Sequence, residues 1–218
     1  MKDSMIRVKF CGIRRKEDVE AVNRLQPDFA GFVFAKSKRQ VTAEQAAELR
    51  GRLHQEIRTV AVLVNHPVDQ AAQLANSGVA DLLQLHGDED REYIARLKTL
   101  TDAKIIKAIR LQGNETDRLL LREAEQADFY LFDTFVTNTY GGTGKTFSLT
   151  LLKGVSVDKP FFLAGGLDAE NVSGIVKKVI ADKSLSPFFY GVDVSGGIET
   201  GGYKDVIKME AFIKVMRR

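Results

Sequence analysis

The sequence has few of the residues that mark secreted, membrane-bound or disulfide-stabilised proteins. Its 218 residues include one cysteine, Cys11, so no internal disulfide can form, and this favours a reducing compartment. No apolar run approaches the roughly 20 residues of a membrane span. The apolar stretch within Met1–Phe10 is too short for a signal peptide. We therefore expect a cytoplasmic protein without a membrane partner.

The sequence also lacks a strong excess of either charge. Its 32 lysines and arginines face 29 aspartates and glutamates, a net charge of +3 that gives no reason to expect nucleic acid as a partner. The short basic cluster Lys36–Arg39 has no interleaved aromatic residues, so it is weak evidence for such a partner. The 44% of hydrophobic and 28% of charged residues are ordinary for a globular protein. No linker or low-complexity segment divides the chain, which predicts one domain over residues 1–218.

Short apolar runs alternate with amphipathic segments along the whole chain. The runs are near-continuously apolar, as parallel strands buried on both faces require. The predicted strands are Ile6–Phe10, Phe29–Phe34, Thr59–Val64, Leu82–Leu85, Lys104–Ile109, Phe129–Phe132, Phe161–Ala164 and Tyr190–Val194. The predicted helices are Lys16–Leu25, Ala43–Leu53, Val68–Ser77, Glu89–Leu100, Thr116–Ala127, Glu170–Ile180 and Val206–Met216.

About eight strand–helix units predict an α/β protein with a closed, parallel (β/α)8 TIM barrel. The alternative is an open doubly wound sheet, which usually has fewer strands and one switch point. Start signals support three of the helices. Thr42 and Gln45 form a capping-box pattern, and Asp168 and Asp205 are placed to cap the last two helices.

Glycines follow the last two predicted strands. In a TIM barrel the loops after the carboxyl ends of the strands form the active face, and the loops after strands seven and eight often bind phosphate. Gly165 and Gly166 follow the seventh strand, and Ser195 and Gly196 follow the eighth. Either pair alone could simply make a tight turn. Together they favour a small phosphorylated ligand, because glycine lets backbone N–H groups approach an anion closely.

Cys11 and Asp133 end the first and sixth predicted strands and are the candidate base and acid. A thiolate at Cys11 could remove a proton from carbon if nearby positive charge lowers its pKa. A carboxyl at Asp133 could donate a proton if apolar surroundings keep it neutral. The alternatives stay open: a lone cysteine is often a small core residue, and an aspartate at a strand end often caps a loop.

Other polar residues lie at the same predicted ends. Arg39 could grip a carboxylate with its guanidinium fork, and His86 shares this face. The glycine-rich segment Gly141–Lys145 is not a P-loop, because Thr139 stands where that motif needs glycine. We interpret it as a loop that closes over substrate, or as a flexible solvated loop. We see no carboxylate–histidine set suited to a metal and predict none.

The ordered motifs resemble those of one enzyme family. They are Val8–Ile13, Gly31–Phe34 followed by Ser37–Arg39, Gln84–Glu89, Asp133 with Gly141–Phe147, Ala164–Leu167 and Gly191–Glu199. This set resembles the signatures of the phosphoribosylanthranilate isomerases of tryptophan biosynthesis. The resemblance implies a TIM barrel and an Amadori rearrangement without a cofactor. The reaction converts N-(5-phosphoribosyl)anthranilate to 1-(2-carboxyphenylamino)-1-deoxyribulose 5-phosphate.

The resemblance also implies roles for individual residues. Asp133 would be the general acid that protonates the furanose oxygen, and Cys11 the general base that takes the C2 proton. Arg39 would hold the anthranilate carboxylate. The remaining substrate-binding residues are implied as follows: Gly165, Gly166, Ser195 and Gly196 around the phosphate, Asp193 at the sugar hydroxyls, His86 in the same pocket, and Gly142 in the loop over the substrate.

Two departures from the family pattern and two alternatives accompany this interpretation. The loop before Arg39 is one residue shorter than is common, and Gly196 stands where a second serine is usual.

One alternative is another phosphate-binding barrel enzyme, such as indole-glycerol-phosphate synthase, which would need a lysine acid and a glutamate at the strand ends. The other is a barrel without catalytic activity that binds a phosphoribosyl ligand. The protein is expected to be a monomer or a homodimer.

Overall fold

The computed structural model describes residues 6–111, 116–133, 149–152 and 155–217. The eight long strands are β1 (Arg7–Cys11), β2 (Phe29–Val33), β3 (Arg58–Leu63), β4 (Leu82–Leu85), β5 (Lys104–Arg110), β6 (Phe129–Asp133), β7 (Phe161–Ala164) and β8 (Phe189–Val194). A short hairpin of β9 (Glu199–Thr200) and β10 (Tyr203–Lys204) follows them. The helices are α1 (Lys16–Leu25), α2 (Ala43–Arg50), α3 (Val68–Asn76), α4 (Arg91–Leu100), α5 (Thr116–Glu123), α6 (Val172–Ala181) and α7 (Val206–Met216).

The long strands form a closed barrel in chain order. Each strand pairs in parallel with the next, from β1 to β8. β8 then pairs with β1, with Lys9 opposite Asp193 and Phe10 opposite Val194. This closing pair confirms the predicted TIM barrel, since an open doubly wound sheet has two free edges.

The core has one layer inside the barrel and one between barrel and helices. Successive side chains of a strand point to opposite faces, so β1 directs Phe10 outward and its neighbours Lys9 and Cys11 inward. Phe10 packs edge-to-face on Phe212 of α7, with ring centroids 6.2 Å apart. Inside the barrel apolar residues from β2 to β7 make contact across the interior: Phe29, Val60, Leu82, Ile106, Ala108, Leu131, Phe162 and Ala164. Lys9 therefore stands out as a charged residue of the inner layer.

Most element boundaries agree with the sequence predictions to within two residues, but α2 and α5 end three and four residues early, at Arg50 and Glu123. The start of α6 has a clear physical reason. The helix predicted from Glu170 begins at Val172. The carboxylate of Asp168 accepts hydrogen bonds from the backbone N–H groups of Glu170 and Asn171, both at 2.9 Å, and so fixes a separate turn before the helix. Thr42 with Gln45, and Asp205, cap α2 and α7 as predicted.

Two further features concern the connections. After β6 the described part of the chain contains a 3-10 turn, Leu149–Leu152, before β7. The hairpin of β9 and β10 was not predicted from sequence, because its strands have only two residues each. No helix among the described residues is both long and apolar enough to cross a membrane.

Candidate active site

The predicted site residues meet at one end of the barrel. All eight strands are parallel, so their carboxyl ends surround a single mouth. Cys11 is the last residue of β1 and Asp133 the last of β6, with β7 and β8 between them on the shorter way round. Gly142, predicted to bind substrate, lies outside the described residues, as do all residues from 134 to 148.

Cys11 is buried, 7% exposed, and contacts the next strand. A Cβ atom added at Gly31 of β2 would lie 3.0 Å from its Sγ, so glycine there leaves room for the thiol. Burial raises the pKa of Cys11; the charges of Lys9 and Lys204 lower it and Asp193 raises it. The sequence analysis made a thiolate at Cys11 conditional on nearby positive charge that lowers this pKa. In the free protein that condition is not met, because burial outweighs the two ammonium groups.

Asp133 faces His86 across the mouth. Its Oδ2 lies 3.6 Å from His86 Nε2, and the two side chains are 23% and 20% exposed. On the other side of the ring, the amide Nε2 of buried Gln84 is 2.9 Å from His86 Nδ1. When this amide donates to Nδ1, the proton of a neutral ring lies on Nε2 and points toward Asp133. His86 is therefore placed to orient the carboxyl of Asp133.

Arg39 is held at the mouth by a protein carboxylate. Its Nε and Nη2 donate to the two carboxylate oxygens of Glu199, at 2.6 and 2.8 Å. Its stem crosses Gly12, where an added Cβ would lie only 2.6 Å from Arg39 Cδ. The short loop thus brings Arg39 to the active face, with two of its donors directed at Glu199.

Glu199 itself is the centre of a small charged cluster. Its side chain is 6% exposed, and Lys204 Nζ lies 2.8 Å from the same Oε1 atom that Arg39 contacts. Burial would raise the pKa of Glu199, but hydrogen bonds from Arg39 and Lys204 lower it to about 2. The carboxylate therefore stays ionised at neutral pH and fixes both cations.

The two glycine loops lie side by side. Gly165 and Gly166 have φ of 92° and 64°, in the left-handed region that glycine adopts readily. A Cβ at Gly197 would lie 1.9 Å from the carbonyl oxygen of Leu167, so the loop after β8 touches the loop after β7 at this residue. At Gly196 the nearest atom is Arg39 Nη2, 3.7 Å from an added Cβ. A serine there would fit, so packing does not impose this departure from the family pattern.

Ser195 joins the β8 loop to β1. Its hydroxyl donates to the backbone carbonyl of Cys11 at 3.1 Å, and Lys204 Nζ donates to the Ser195 carbonyl at 3.0 Å. Asp193, which lies earlier on β8, forms an ion pair with Lys9, 3.0 Å between Oδ2 and Nζ. The β8 residues predicted to bind substrate are thus tied to the strand that carries the thiol.

Four residues at the mouth or just inside it escaped the sequence predictions: Lys9, Gln84, Glu199 and Lys204. The first two had a usable signal. Lys9 is two residues before Cys11 and Gln84 two before His86, so strand alternation places each on the inner face. Glu199 and Lys204 gave no local signal, since their partners are distant in sequence. No group of three or more His, Cys, Asp or Glu side chains within residues 6–111, 116–133, 149–152 and 155–217 is arranged to hold a metal ion.

The chain is similar to known proteins over nearly its whole length. The family model described as N-(5'phosphoribosyl)anthranilate (PRA) isomerase matches residues 8–215. A relative from Thermoanaerobacter pseudethanolicus, named N-(5'-phosphoribosyl)anthranilate isomerase, is 47% identical over 215 residues, 98% of each chain. The chain belongs to the N-(5'-phosphoribosyl)anthranilate isomerase family.

Solved structures of phosphoribosylanthranilate isomerases share the fold. One from Thermotoga maritima has a TM-score of 0.81 and 33% identity, covering 98% of this chain and 99% of its own. A second, with a TM-score of 0.78, 29% identity and the same coverage, is a complex with reduced 1-(o-carboxyphenylamino)-1-deoxyribulose 5-phosphate. A third, of monomers generated from the dimeric Thermotoga maritima enzyme, has a TM-score of 0.76, 29% identity and again the same coverage. The family assignment makes the chain an isomerase of tryptophan biosynthesis.

Proposed function

We propose that the chain isomerises N-(5'-phosphoribosyl)anthranilate with Asp133 as the general acid and Cys11 as the general base. One observation carries this assignment. The two residues end β6 and β1 at the same mouth, and the two strands between them lead into the glycine loops. A ribose whose phosphate lies at those loops would have a carboxyl on one side and a thiol on the other.

The phosphate of the substrate would bind at the loops after β7 and β8. Gly165 and Gly166 have no side chains to block an anion, and Gly196 leaves its surroundings open. Backbone N–H groups of such loops bind anions without a charged side chain. We infer that Gly165, Gly166, Ser195 and Gly196 hold the phosphate and that Asp193 lies near the sugar hydroxyls.

The acid step belongs to Asp133. Its carboxyl would donate a proton to the furanose oxygen, so that the C1–O bond breaks and the ring opens to a Schiff base of the anthranilate nitrogen. His86, 3.6 Å away, would orient the carboxyl. A general acid of this kind typically accelerates a reaction by about 10²–10⁴-fold.

The base step belongs to Cys11. As a thiolate it would take the proton from C2 of the open sugar, and the electron pair of that C–H bond would move toward the iminium nitrogen. The product of this step is an enolamine, which tautomerises to the ketone. Because burial raises the pKa of Cys11, the thiolate is the minor form of the free enzyme at neutral pH.

Arg39 would face the carboxylate of the anthranilate ring. Its Nε and Nη2 already contact Glu199, so the protein carboxylate fixes the guanidinium plane. A planar fork held in this way has its Nη1 donors left to offer a second carboxylate. We further propose a cytoplasmic enzyme that acts as a monomer or a homodimer on a small phosphorylated substrate.

The test is a fluorescence assay in which phosphoribosylanthranilate is generated in situ and its loss is followed. We expect turnover by the wild type, and losses of about two to four orders of magnitude in kcat for Cys11→Ala and for Asp133→Asn. Circular dichroism would confirm that both variants fold. Full activity in either variant would remove that residue from its role, and an inactive wild type would favour the barrel that only binds a phosphoribosyl ligand.

A further inference from the structure

Lys9 is a buried lysine inside the barrel that the proposed mechanism does not use. It lies on β1 two residues before Cys11, so both side chains point to the barrel interior. None of its surface is exposed. Burying an ammonium costs several kcal/mol unless a partner compensates it. A lysine in this place therefore needs an explanation beyond packing.

Its surroundings place the end of the lysine side chain near the thiol. Lys9 Nζ lies 3.0 Å from Asp193 Oδ2 on β8. On the other side, a Cβ added at Gly31 of β2 would lie 3.3 Å from Lys9 Cε and 3.0 Å from Cys11 Sγ. The end of the lysine side chain and the sulfur thus both lie against Gly31 of the neighbouring strand, and the ammonium is paired with the carboxylate of Asp193.

Among the described residues, four groups supply the charges around Cys11. Lys9 on β1, Lys204 on β10 and Arg39 on the loop after β2 are positive, and Asp193 on β8 is negative. Of the neighbouring charges, Lys9 has the largest effect on the pKa of Cys11, and it acts downward. Burial lowers the pKa of Lys9 itself, but Asp193 and Cys11 raise it to above its ordinary value. Lys9 therefore keeps its charge at neutral pH.

We infer that Lys9 is a positioning residue that stabilises the thiolate of Cys11 through its buried ammonium, with Asp193 holding that ammonium in place. The inference rests on the proposed role of Cys11 as the base. Lys9 lies below the thiol and donates no proton to substrate. It offsets the cost of a negative charge on a buried sulfur, so that the thiolate can form at the moment when C2 is deprotonated.

The experiment titrates the thiol of the free protein. The chain has one cysteine, so the ultraviolet absorbance of the thiolate, taken as the difference between each variant and its Cys11→Ala counterpart, reports one group. Lys9→Met should raise the pKa of Cys11 by about 1 or more, the usual effect of removing a neighbouring opposite charge. The matched control is Lys107→Met. It removes another buried lysine, on β5, whose Nζ lies 2.8 Å from Glu89 Oε2. It should leave the pKa of Cys11 unchanged.

A second pair of variants covers the case in which Lys9→Met fails to fold because Asp193 is left uncompensated. Lys9→Gln and Lys9→Arg both leave Asp193 a neighbouring hydrogen-bond donor, and they differ in charge. The thiol of Lys9→Gln should have a pKa about 1 higher than that of Lys9→Arg. An equal pKa in the two members of each comparison would overturn the proposal.

Activity gives a second readout that a purely structural role would not move. In Lys9→Met the alkaline rise of kcat/KM should move to higher pH together with the pKa of the thiol. At neutral pH, kcat/KM should fall about tenfold for each increase of 1 in that pKa. A lower kcat/KM at every pH, with the rise at its original pH, would contradict the inference. If Cys11→Ala were fully active, the proposed role of Cys11 as the base would be wrong. The titration would still show whether Lys9 acts on the thiol.

Discussion

The thiol of Cys11 is the residue whose ionisation limits the proposed reaction. An ordinary cysteine has a pKa of about 8.5. Burial raises that of Cys11 further, against the opposing charges of Lys9 and Lys204. Only the thiolate can accept the C2 proton, so the active fraction of the free enzyme is small at neutral pH.

A pH profile tests this directly. The thiolate fraction rises about tenfold per pH unit below the pKa, and kcat/KM reports groups of the free enzyme. We therefore expect kcat/KM to increase about tenfold per pH unit from slightly acid to slightly alkaline pH. A flat profile across neutral pH would mean that the thiol is already ionised, against the dominance of burial in this structure.

Glycine at position 197 allows the loops after β7 and β8 to contact each other. Its missing Cβ would lie 1.9 Å from the Leu167 carbonyl oxygen, a backbone atom that cannot move aside cheaply. We expect Gly197→Ala to lower the free energy of unfolding by about 1–3 kcal/mol, as overpacking usually does. Urea denaturation measures this.

Gly196→Ser is the matched control for that change. The nearest atom to an added Cβ at Gly196 is 3.7 Å away, and it is the end of a flexible side chain. Its free energy of unfolding should stay within about 0.5 kcal/mol of the wild type. Equal losses in the two variants would show that the loops do not meet as described.

Among the secondary-structure elements, the short hairpin of β9 and β10 has the largest consequence for the site. It brings Glu199 and Lys204, both buried, against the partly exposed Arg39, and the three side chains form one charged cluster. Arg39 comes from the loop after β2, on the far side of the β1 strand. The hairpin therefore fixes a residue that another unit of the barrel supplies.

Glu199→Gln should release Arg39 and also change the pH dependence of stability. We expect a higher KM for phosphoribosylanthranilate with a smaller change in kcat, since the guanidinium loses its fixed plane. The pKa of Glu199 is lowered from its ordinary 4.5 to about 2. A carboxyl with a lowered folded-state pKa stabilises the protein above its ordinary pKa, and this contribution is lost as pH falls through the lowered value.

Unfolding free energies of the wild type and Glu199→Gln measure the second effect. The difference between them should be constant above about pH 5 and shrink as the pH falls toward about 2. A difference that did not change over this range would show that Glu199 titrates at its ordinary pKa. It would also show that Arg39 and Lys204 do not hold it ionised.

The whole barrel was more predictable from sequence than its mouth. Near-continuous apolar runs such as Phe161–Ala164 are typical of parallel strands buried on both faces. Eight such strands alternating with helices favour a closed barrel. The places of Cys11 and Asp133 followed from their position at strand ends. Side-chain chemistry made them the candidate base and acid, the resemblance to a family assigned each to a step, and both roles stay predictions.

What the sequence could not show are contacts between distant units. Arg39 and Glu199 are 160 residues apart, and no local pattern announces their pairing. The net direction of the change in the Cys11 pKa depends on how completely the folded barrel excludes water, which one strand cannot reveal. Strand alternation could have placed Lys9 on the inner face of the barrel. Its pairing with Asp193 could not be predicted, because Asp193 lies near the other end of the chain.

The deuterium isotope effect on kcat/KM, with deuterium at C2 of the ribose, tests the two assigned roles most directly. In Cys11→Ser the hydroxyl is almost never ionised at neutral pH, so proton removal should become rate-limiting, and deuterium should then slow the reaction several-fold. In Asp133→Asn ring opening should limit the rate, and deuterium should have little effect. The reverse pattern, or the same effect in both variants, would contradict the account of a carboxyl that opens the ring and a thiolate that deprotonates C2.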